Sequence, residues 1–538
     1  AQETWLKGLT GQRGARLAHP EAMQRLLAAV CAACGLAAQC LAEDVCAAGQ
    51  ECEEETSLLD IHRASSRALA QGQWDPWNPL KCQEAWQPCD LTRWCCLNTV
   101  CVVQPPFTTG WRPRPGMCKP WFPPKKDYVV MAEFGSSGSR VFVYSVQRGT
   151  LDLNQVGKST FDKLSSFVNN RTGAQAELKK HIKIAVAQVR ALKWSKRLRS
   201  KTPIYAFATA GMRTLPSEAA VPLWRAVRQV LGKVGLSYDR SNAKTISGDL
   251  EGVYQWVTVN RLLKAERTED YRGILEMGGA SLQATFQPTT DLEMIMNHEF
   301  DMYYLTPSRS LQDVSLFSDS WLGFGANAAN SRFHTLLYEN ETKNETVNLT
   351  RGENRIFLSP CLNSGVVANI TLYKSNVKVQ FNGTGQSEDC SKRIAWNLIH
   401  PNWECIQEPC GVMGRYFPKP GKKRFVAVGN FWWTVKNLRL LNETNKVPLK
   451  QISSELNKFC ALTREDAERR GFKWDPKFGY QTCVVGHVHY QVLRALGFAD
   501  DDTTIEYMKE INGVEPSWPA GAVLYETETK VMGGVFRA

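Results

Sequence analysis

The sequence predicts an α/β protein preceded by a separate cysteine-rich module. Three features of its 538 residues point there. Apolar, β-branched runs alternate with amphipathic helical stretches, which is the pattern of an α/β fold. One strand–turn–strand unit occurs twice, as "MAEFGSSGSR" (Met131 to Arg140) and "LEMGGASLQ" (Leu275 to Gln283), which indicates a duplicated domain. Eleven of the seventeen cysteines fall before Pro120, none lies between there and Cys361, and six follow. A chain of this length exceeds one core, so two or three domains are expected.

The first segment, residues 1–126, is rich in Cys, Trp, Ala and Pro and ends in a proline-rich linker, "QPPFTTGWRPRPGMCKPWFPPKK". Such a linker forms neither regular helix nor central strand. Cys31 and Cys34 make one CxxC, but the neighbouring spacings and the lack of nearby histidines argue against a zinc finger and for disulfides. Seven N-x-S/T sequons (Asn170, Asn340, Asn344, Asn348, Asn369, Asn382, Asn442) favour the secretory route. The odd cysteine count leaves a thiol free or bonded to another chain. Leu26 to Ala42 reads as a disulfide-pinned helix, too short for a bilayer, so no stable membrane insertion is expected. The start "AQETW", with no basic and apolar leader, is what a cleaved signal peptide would leave.

From Asp127 the character changes. "DYVVMAEF", a Gly/Ser turn and "RVFVYSV" read as strand, tight turn, strand. Helical stretches follow around Ala174 to Trp194 and Ser217 to Gly232, with the buried strand of "PIYAFATAGMR" between them. "RGILEMGGASLQATFQP" is the second hairpin, and "RFVAV" is a later strand that ends in "GNFWWTV". The net charge of +12 comes from scattered basic residues and reads as a solvated surface, so no nucleic-acid partner is expected. The dense cluster Lys193 to Lys201 lies where a helix ends, and cations suit that end of its dipole. His487 and His489 are two apart on a helical stretch, so their side chains diverge and packing is favoured over metal ligation.

Glycine turns bring successive N–H groups onto an anion, and serine hydroxyls add donors. A carboxylate just before such a turn makes sense beside phosphate if a cation lies between, and magnesium meets carboxylates and phosphates together. Glu133 and Glu276 are therefore expected to face one hydrated cation through water. "ATAGMR" (Ala208 to Arg213) adds a third turn with Thr209, and "SGDLEGVYQWVTVN" places Glu251 at the mouth of a helix. Trp432 and Trp433 could offer a flat face to a base.

In order and content, "EFGSSGSR", "ATAGMR", "GDLEGVYQWVTVN", "EMGGASLQ", and "GNFWW" with "SWPAG" resemble the apyrase conserved regions of the ecto-nucleoside triphosphate diphosphohydrolases. "SWLGFGANAA" and "PCLNSG" are lesser echoes. The resemblance spans Asp127 to the C-terminus, and a secreted form is reminiscent of the apicomplexan parasite-type members. It implies two actin-like, RNase H-like lobes, 127–244 with 495–538 and 245–494, with a nucleotide and Mg²⁺ or Ca²⁺ in the cleft between them. It assigns Glu251 as general base, with Ser281 and Gln283 positioning the attacking water. It assigns Ser136, Ser137, Gly138, Ser139 and Arg140 to one end of the phosphate chain, and Gly278, Gly279 and Ala280 to the other, with Thr209 nearby. The family usually carries aspartate where this chain has Glu133 and Glu276, which bears on metal affinity and on the preference between tri- and diphosphate. The implied activity is hydrolysis of nucleoside tri- and diphosphates in a secretory or extracellular setting, and a homo-oligomer stays open. Two alternatives compete: a nucleotide-binding, catalytically weak interaction protein, and a sugar kinase or exopolyphosphatase on the same fold, which needs no base-stacking tryptophans.

Overall fold

The computed structural model describes residues 88–89, 99–102, 116–120, 126–147, 152–288, 298–308, 310–343, 355–399, 404–405 and 407–535. Two compact units divide the chain, Ala1–Pro123 and Pro124–Ala538. In the first, β1 (Pro88–Cys89), β2 (Thr99–Val102) and β3 (Gly116–Pro120) form an antiparallel sheet of order β1-β3-β2. The proline-rich linker was expected to form no central strand, yet its Gly116–Pro120 is β3, the middle strand here, with Pro120 only at its end; the pinned helix at 26–42, the linker up to residue 115 and the disulfides expected in this unit lie outside the described residues.

The second unit begins with β4 (Lys126–Phe134), β5 (Ser139–Gln147) and β6 (Leu153–Phe161), an antiparallel meander. Helix α1 (Arg171–Ala187) starts at Asn170, whose side chain accepts from the Gly173 N–H at 2.9 Å. β7 (Ile204–Ala208) returns parallel beside β4 and leads through α2 (Ala210–Arg213) and α3 (Ser217–Leu231) to β8 (Ala243–Thr245). The sheet order is β6-β5-β4-β7-β8. Its central strand is buried on both faces. Val130, Ala132 and Phe134 pack under α1 and α3, while Val129 and Met131 face the opposite way. Each fully buried side chain of this size contributes about 1.5–3 kcal/mol.

Helix α4 (Gly248–Leu262) crosses to a second sheet. That sheet contains β9 (Gly273–Met277), β10 (Ser281–Phe286), β11 (Glu299–Leu305) and β12 (Leu311–Leu322). Helix α5 (Ala326–Thr342) follows, then a small sheet of β13 (Ile356–Ser359), β14 (Val367–Thr371) and β15 (Lys378–Gly383), and α6 (Ser387–Ile394). β16 (Phe425–Gly429), α7 (Asn430–Asn437), α8 (Leu449–Cys460), α9 (Thr482–Ala495), β17 (Ile505–Tyr507) and α10 (Trp518–Val535) complete the chain. The large sheet runs β11-β12-β10-β9-β16-β17. With the edge strand β11 set aside, both sheets follow one plan: three antiparallel strands, then two parallel ones. These are the two actin-like lobes.

The chain is still in the second sheet at Tyr507, where β17 pairs with β16, past the return point expected at 495. The two terminal helices are exchanged between lobes. α4 follows the first sheet but packs Val253, Trp256 and Val257 on the second, whereas α10 follows the second but packs Trp518, Ala522 and Val523 on the first. The helices touch closely where they cross, since a methyl added at Gly521 would lie 1.8 Å from the Tyr254 carbonyl oxygen. The six later cysteines form Cys361–Cys390, Cys405–Cys410 and Cys460–Cys483, all in the second lobe. His487 and His489 are buried and bond Ser387 Oγ at 2.8 Å and the Tyr507 hydroxyl at 3.1 Å, so both are packing residues.

Candidate active site

The two glycine turns are equivalent down to their hydrogen bonds. Gly135 N–H donates to the Gly138 carbonyl at 3.0 Å, and Gly278 N–H donates to the Ser281 carbonyl at 3.0 Å. The flanking pairs match as well, with Glu133 opposite Arg140 and Glu276 opposite Gln283. The turns face each other. A Cβ at Gly279 would sit 2.4 Å from Ser137 Oγ and 2.8 Å from Ser136 Oγ, so glycine lets both hydroxyls point at the second turn. Gly138 and Ser139 close the first turn, and Thr209 is buried beside it, its N–H donating to the Phe134 carbonyl at 3.1 Å.

The second turn is pinned from behind. The N–H groups of Ala326 and Asn327, at the start of α5, donate to the Gly278 and Gly279 carbonyls at 2.9 Å each. Asn430 Nδ2, at the start of α7, donates to the Met277 and Gly278 carbonyls at 2.9 and 3.0 Å.

Glu251 lies in the first turn of α4, which Ser247 caps by accepting from the Leu250 N–H at 3.1 Å. Gly248 lets that turn settle onto the second sheet, because a Cβ there would meet Ser320 Oγ at 2.1 Å. The carboxylate of Glu251 is then buried, and its Oε2 accepts from Arg213 Nη2 at 2.6 Å. Arg213 Nη2 also reaches Ser281 Oγ at 3.3 Å, and Gln283 Nε2 donates to Ser281 Oγ at 2.8 Å and Ser320 Oγ at 2.9 Å. Glu251, Ser281 and Gln283 therefore share one network, joined by two residues that sequence reasoning gave no role. Arg213 closes the quoted "ATAGMR" and was legible as a charge beside a phosphate turn, whereas Ser320 opens the lesser echo "SWLGFGANAA", which gave it no role.

Three carboxylates feel one another across this site. Burial pushes Glu251 up to about 7, against the pull of Arg213 and with a further push from Glu133. Glu276 stands well above the ordinary carboxylate range because of burial, reinforced by Glu251 and Glu133, with Arg140 working the other way. Part of Glu276 reaches solvent, yet its Oε2 is enclosed with no hydrogen-bond partner. Arg140 Nη1 donates to both oxygens of Glu133 at 3.0 Å, so this arginine is engaged in an ion pair of the site. A concentration of buried negative charge with an orphaned oxygen fits a hydrated dication.

A cleft of about 850 Å³ opens over the two turns. Ser136, Ser137, Lys163 and Thr214 line it from the first lobe, and Gly279, Ala280, Asn327, Tyr373, Phe478 and Tyr480 from the second. Trp432 and Trp433 are not among its lining residues. Trp432 is buried in the second lobe, Trp433 meets it edge-on at 4.8 Å between ring centroids, and Lys436 lies over both. The helical turn after β16 directs Asn430, not the tryptophans, toward the phosphate turn.

Residues 122–533 match the model of the GDA1/CD39 (nucleoside phosphatase) family. Probable apyrase 6 of Arabidopsis thaliana is 27% identical over 426 residues, covering 75% of this chain and 73% of its own length. The Golgi apyrase of Schizosaccharomyces pombe is 30% identical over 341 residues, covering 58% and 56%. Among solved structures, nucleoside triphosphate hydrolases from Neospora caninum match at a TM-score of 0.57 and 15% identity, covering 75% of this chain and 93% of theirs. That last likeness is one of fold.

Proposed function

The chain belongs to the GDA1/CD39 (nucleoside phosphatase) family, and we propose that its cleft hydrolyses nucleoside tri- and diphosphates by direct attack of water on the terminal phosphorus. The observation that carries this reading is the network in which Arg213 bridges Glu251 at 2.6 Å and Ser281 at 3.3 Å, at the floor of two facing phosphate turns.

Glu251 takes the proton of the attacking water, a step that supplies roughly 10²- to 10⁴-fold as general base catalysis when the group titrates near the working pH. Ser281 and Gln283 hold that water in line with the scissile bond. The turn of Ser136, Ser137, Gly138 and Ser139 on one side and that of Gly278, Gly279 and Ala280 on the other cradle the phosphate oxygens as they gain charge, with the Gly278 N–H used to close its own turn and Thr209 adjoining. Phosphoryl transfer of this kind needs positioning and charge neutralisation more than covalent help, so no phosphoenzyme is required. Glu133 and Glu276 would hold Mg²⁺ or Ca²⁺ through water, which would supply charge neutralisation at the phosphates. The base stacks on Tyr373, Phe478 or Tyr480 at the cleft wall, in place of the tryptophans, and a π-face tolerates any base.

The disulfides of the second lobe suit an oxidising compartment, so we place the protein in the secretory pathway or outside the cell. Among the described residues, no helix is long and apolar enough to cross a membrane. The deciding experiment is release of inorganic phosphate from ATP and ADP with Mg²⁺ by the full chain and by Glu251→Ala. Activity in the first and its loss in the second are expected, and a wild type as silent as the variant returns the protein to the class of nucleotide-binding interaction proteins.

A further inference from the structure

Apart from the residues assigned to hydrolysis, Asp249, His298 and Asp319 form the one group among the described residues whose potential metal-ligand atoms all lie within 4.8 Å of one another. They come from three elements: the first turn of α4, the residue preceding β11, and β12. The side chain of Asp319 is wholly enclosed. Its Oδ1 accepts from the Ser320 N–H at 2.6 Å, pairs with Arg415, and lies 3.6 Å from His298 Nδ1. Its Oδ2 is buried without a hydrogen-bond partner, and His298 Nδ1 has none either. Oδ1, the oxygen nearest the imidazole, is thus satisfied by Ser320 and Arg415, whereas Oδ2 on the same carboxylate is enclosed with no donor, which is costly unless something positive sits there.

We propose that Asp249, His298 and Asp319 bind a transition-metal dication of the zinc type, at a site separate from the cation of Glu133 and Glu276. The donor set selects the metal. Magnesium and calcium prefer six or more oxygen ligands, whereas one imidazole and two carboxylates match zinc and leave its fourth position open. Asp249 and His298 are partly exposed and give the ion a way in. Once bound, it fastens the turn carrying Glu251 to the strand carrying Ser320, the hydroxyl that receives Gln283. A weaker tie already joins the same elements, since Ser318 Oγ donates to the Asp249 carbonyl at 2.7 Å.

The test uses the full chain, stripped with chelator and held in saturating Mg²⁺, titrated with Zn²⁺ by calorimetry and with Co²⁺ by visible absorption. The wild type is expected to take up a zinc equivalent that Mg²⁺ does not displace, to show a four-coordinate cobalt band, and to gain thermal stability with zinc. His298→Ala and His298→Gln should bind at least about tenfold more weakly and lose the band, while Glu276→Gln keeps both. Asp319→Asn also unpairs Arg415, so the two histidine variants, with unchanged circular dichroism, carry the decision. Equal uptake by the wild type and His298→Ala, or loss of uptake in Glu276→Gln alone, overturns the assignment.

Discussion

Replacing Arg213 by methionine tests the proposed base directly, because this arginine is the positive group bonded to Glu251 and, at 2.6 Å, it restrains how far burial lifts that carboxyl. With Glu251 at about 7, half of the free enzyme carries an ionised base near neutral pH. An adjacent opposite charge holds a carboxylate down by about 1–3 units, so its removal should lift Glu251 by roughly two. Only about 1% of the variant is then ionised near pH 7, a loss of roughly 50-fold in kcat/KM that fades above about pH 10. The sign follows from the chemistry: the base works when deprotonated, so activity falls as pH drops through the folded-state pKa, and raising that pKa moves the acid limb to higher pH. The assay is phosphate release from ATP across pH for the wild type, Arg213→Met and Arg213→Lys, with lysine expected to fall between the other two. A loss that is the same at every pH, with the acid limb unmoved, would refute the ionic role of Arg213.

Other expectations follow from the same geometry. Gly279→Ala places a methyl 2.4 Å from Ser137 Oγ and 2.8 Å from Ser136 Oγ, so both hydroxyls must rotate away from the facing turn, read as a fall in kcat/KM that exceeds the change in melting temperature. Glu276 stands well above the ordinary carboxylate range, so cation binding must release its proton; Mg²⁺ affinity should rise with pH in the wild type and become weaker and nearly flat with pH in Glu276→Gln, measured by calorimetry in buffers of different ionisation heat. Phe478→Ala should raise KM for ATP by roughly 5- to 150-fold if the base stacks there, with base stacking worth about 1–3 kcal/mol, whereas Trp433→Ala should leave KM unchanged.

The twin turns were legible because their chemistry is local. An apolar run, an acid and small residues specify a strand ending in a tight turn wherever they occur, and the registers of Glu133 and Glu276 agree with that reading. The position of Glu251 was legible for a similar reason, since Ser247 and the glycines that follow mark a helix start. What the sequence hid depends on which way a helix faces and on contacts between distant segments. Trp432 and Trp433 read as an exposed aromatic pair, yet α7 turns Trp432 into the core and Asn430 toward the phosphate turn. Tyr373, Phe478 and Tyr480 come from loops with no motif and meet only in the folded cleft. The late return of the chain was hidden too, because β17 is three residues long and carries no periodic signal.

The exchange of α4 and α10 ties catalysis to the rigidity of the whole molecule. Each sheet is braced by a helix that enters from the other, and the crossing at Gly521 leaves no slack for the two bodies to slide apart. The helix that carries Glu251 is thus held by its contact with α10 at Gly521. A side chain at 521 would push α10 off the Tyr254 carbonyl, so a residue remote from the glycine turns would shift the helix that holds the base.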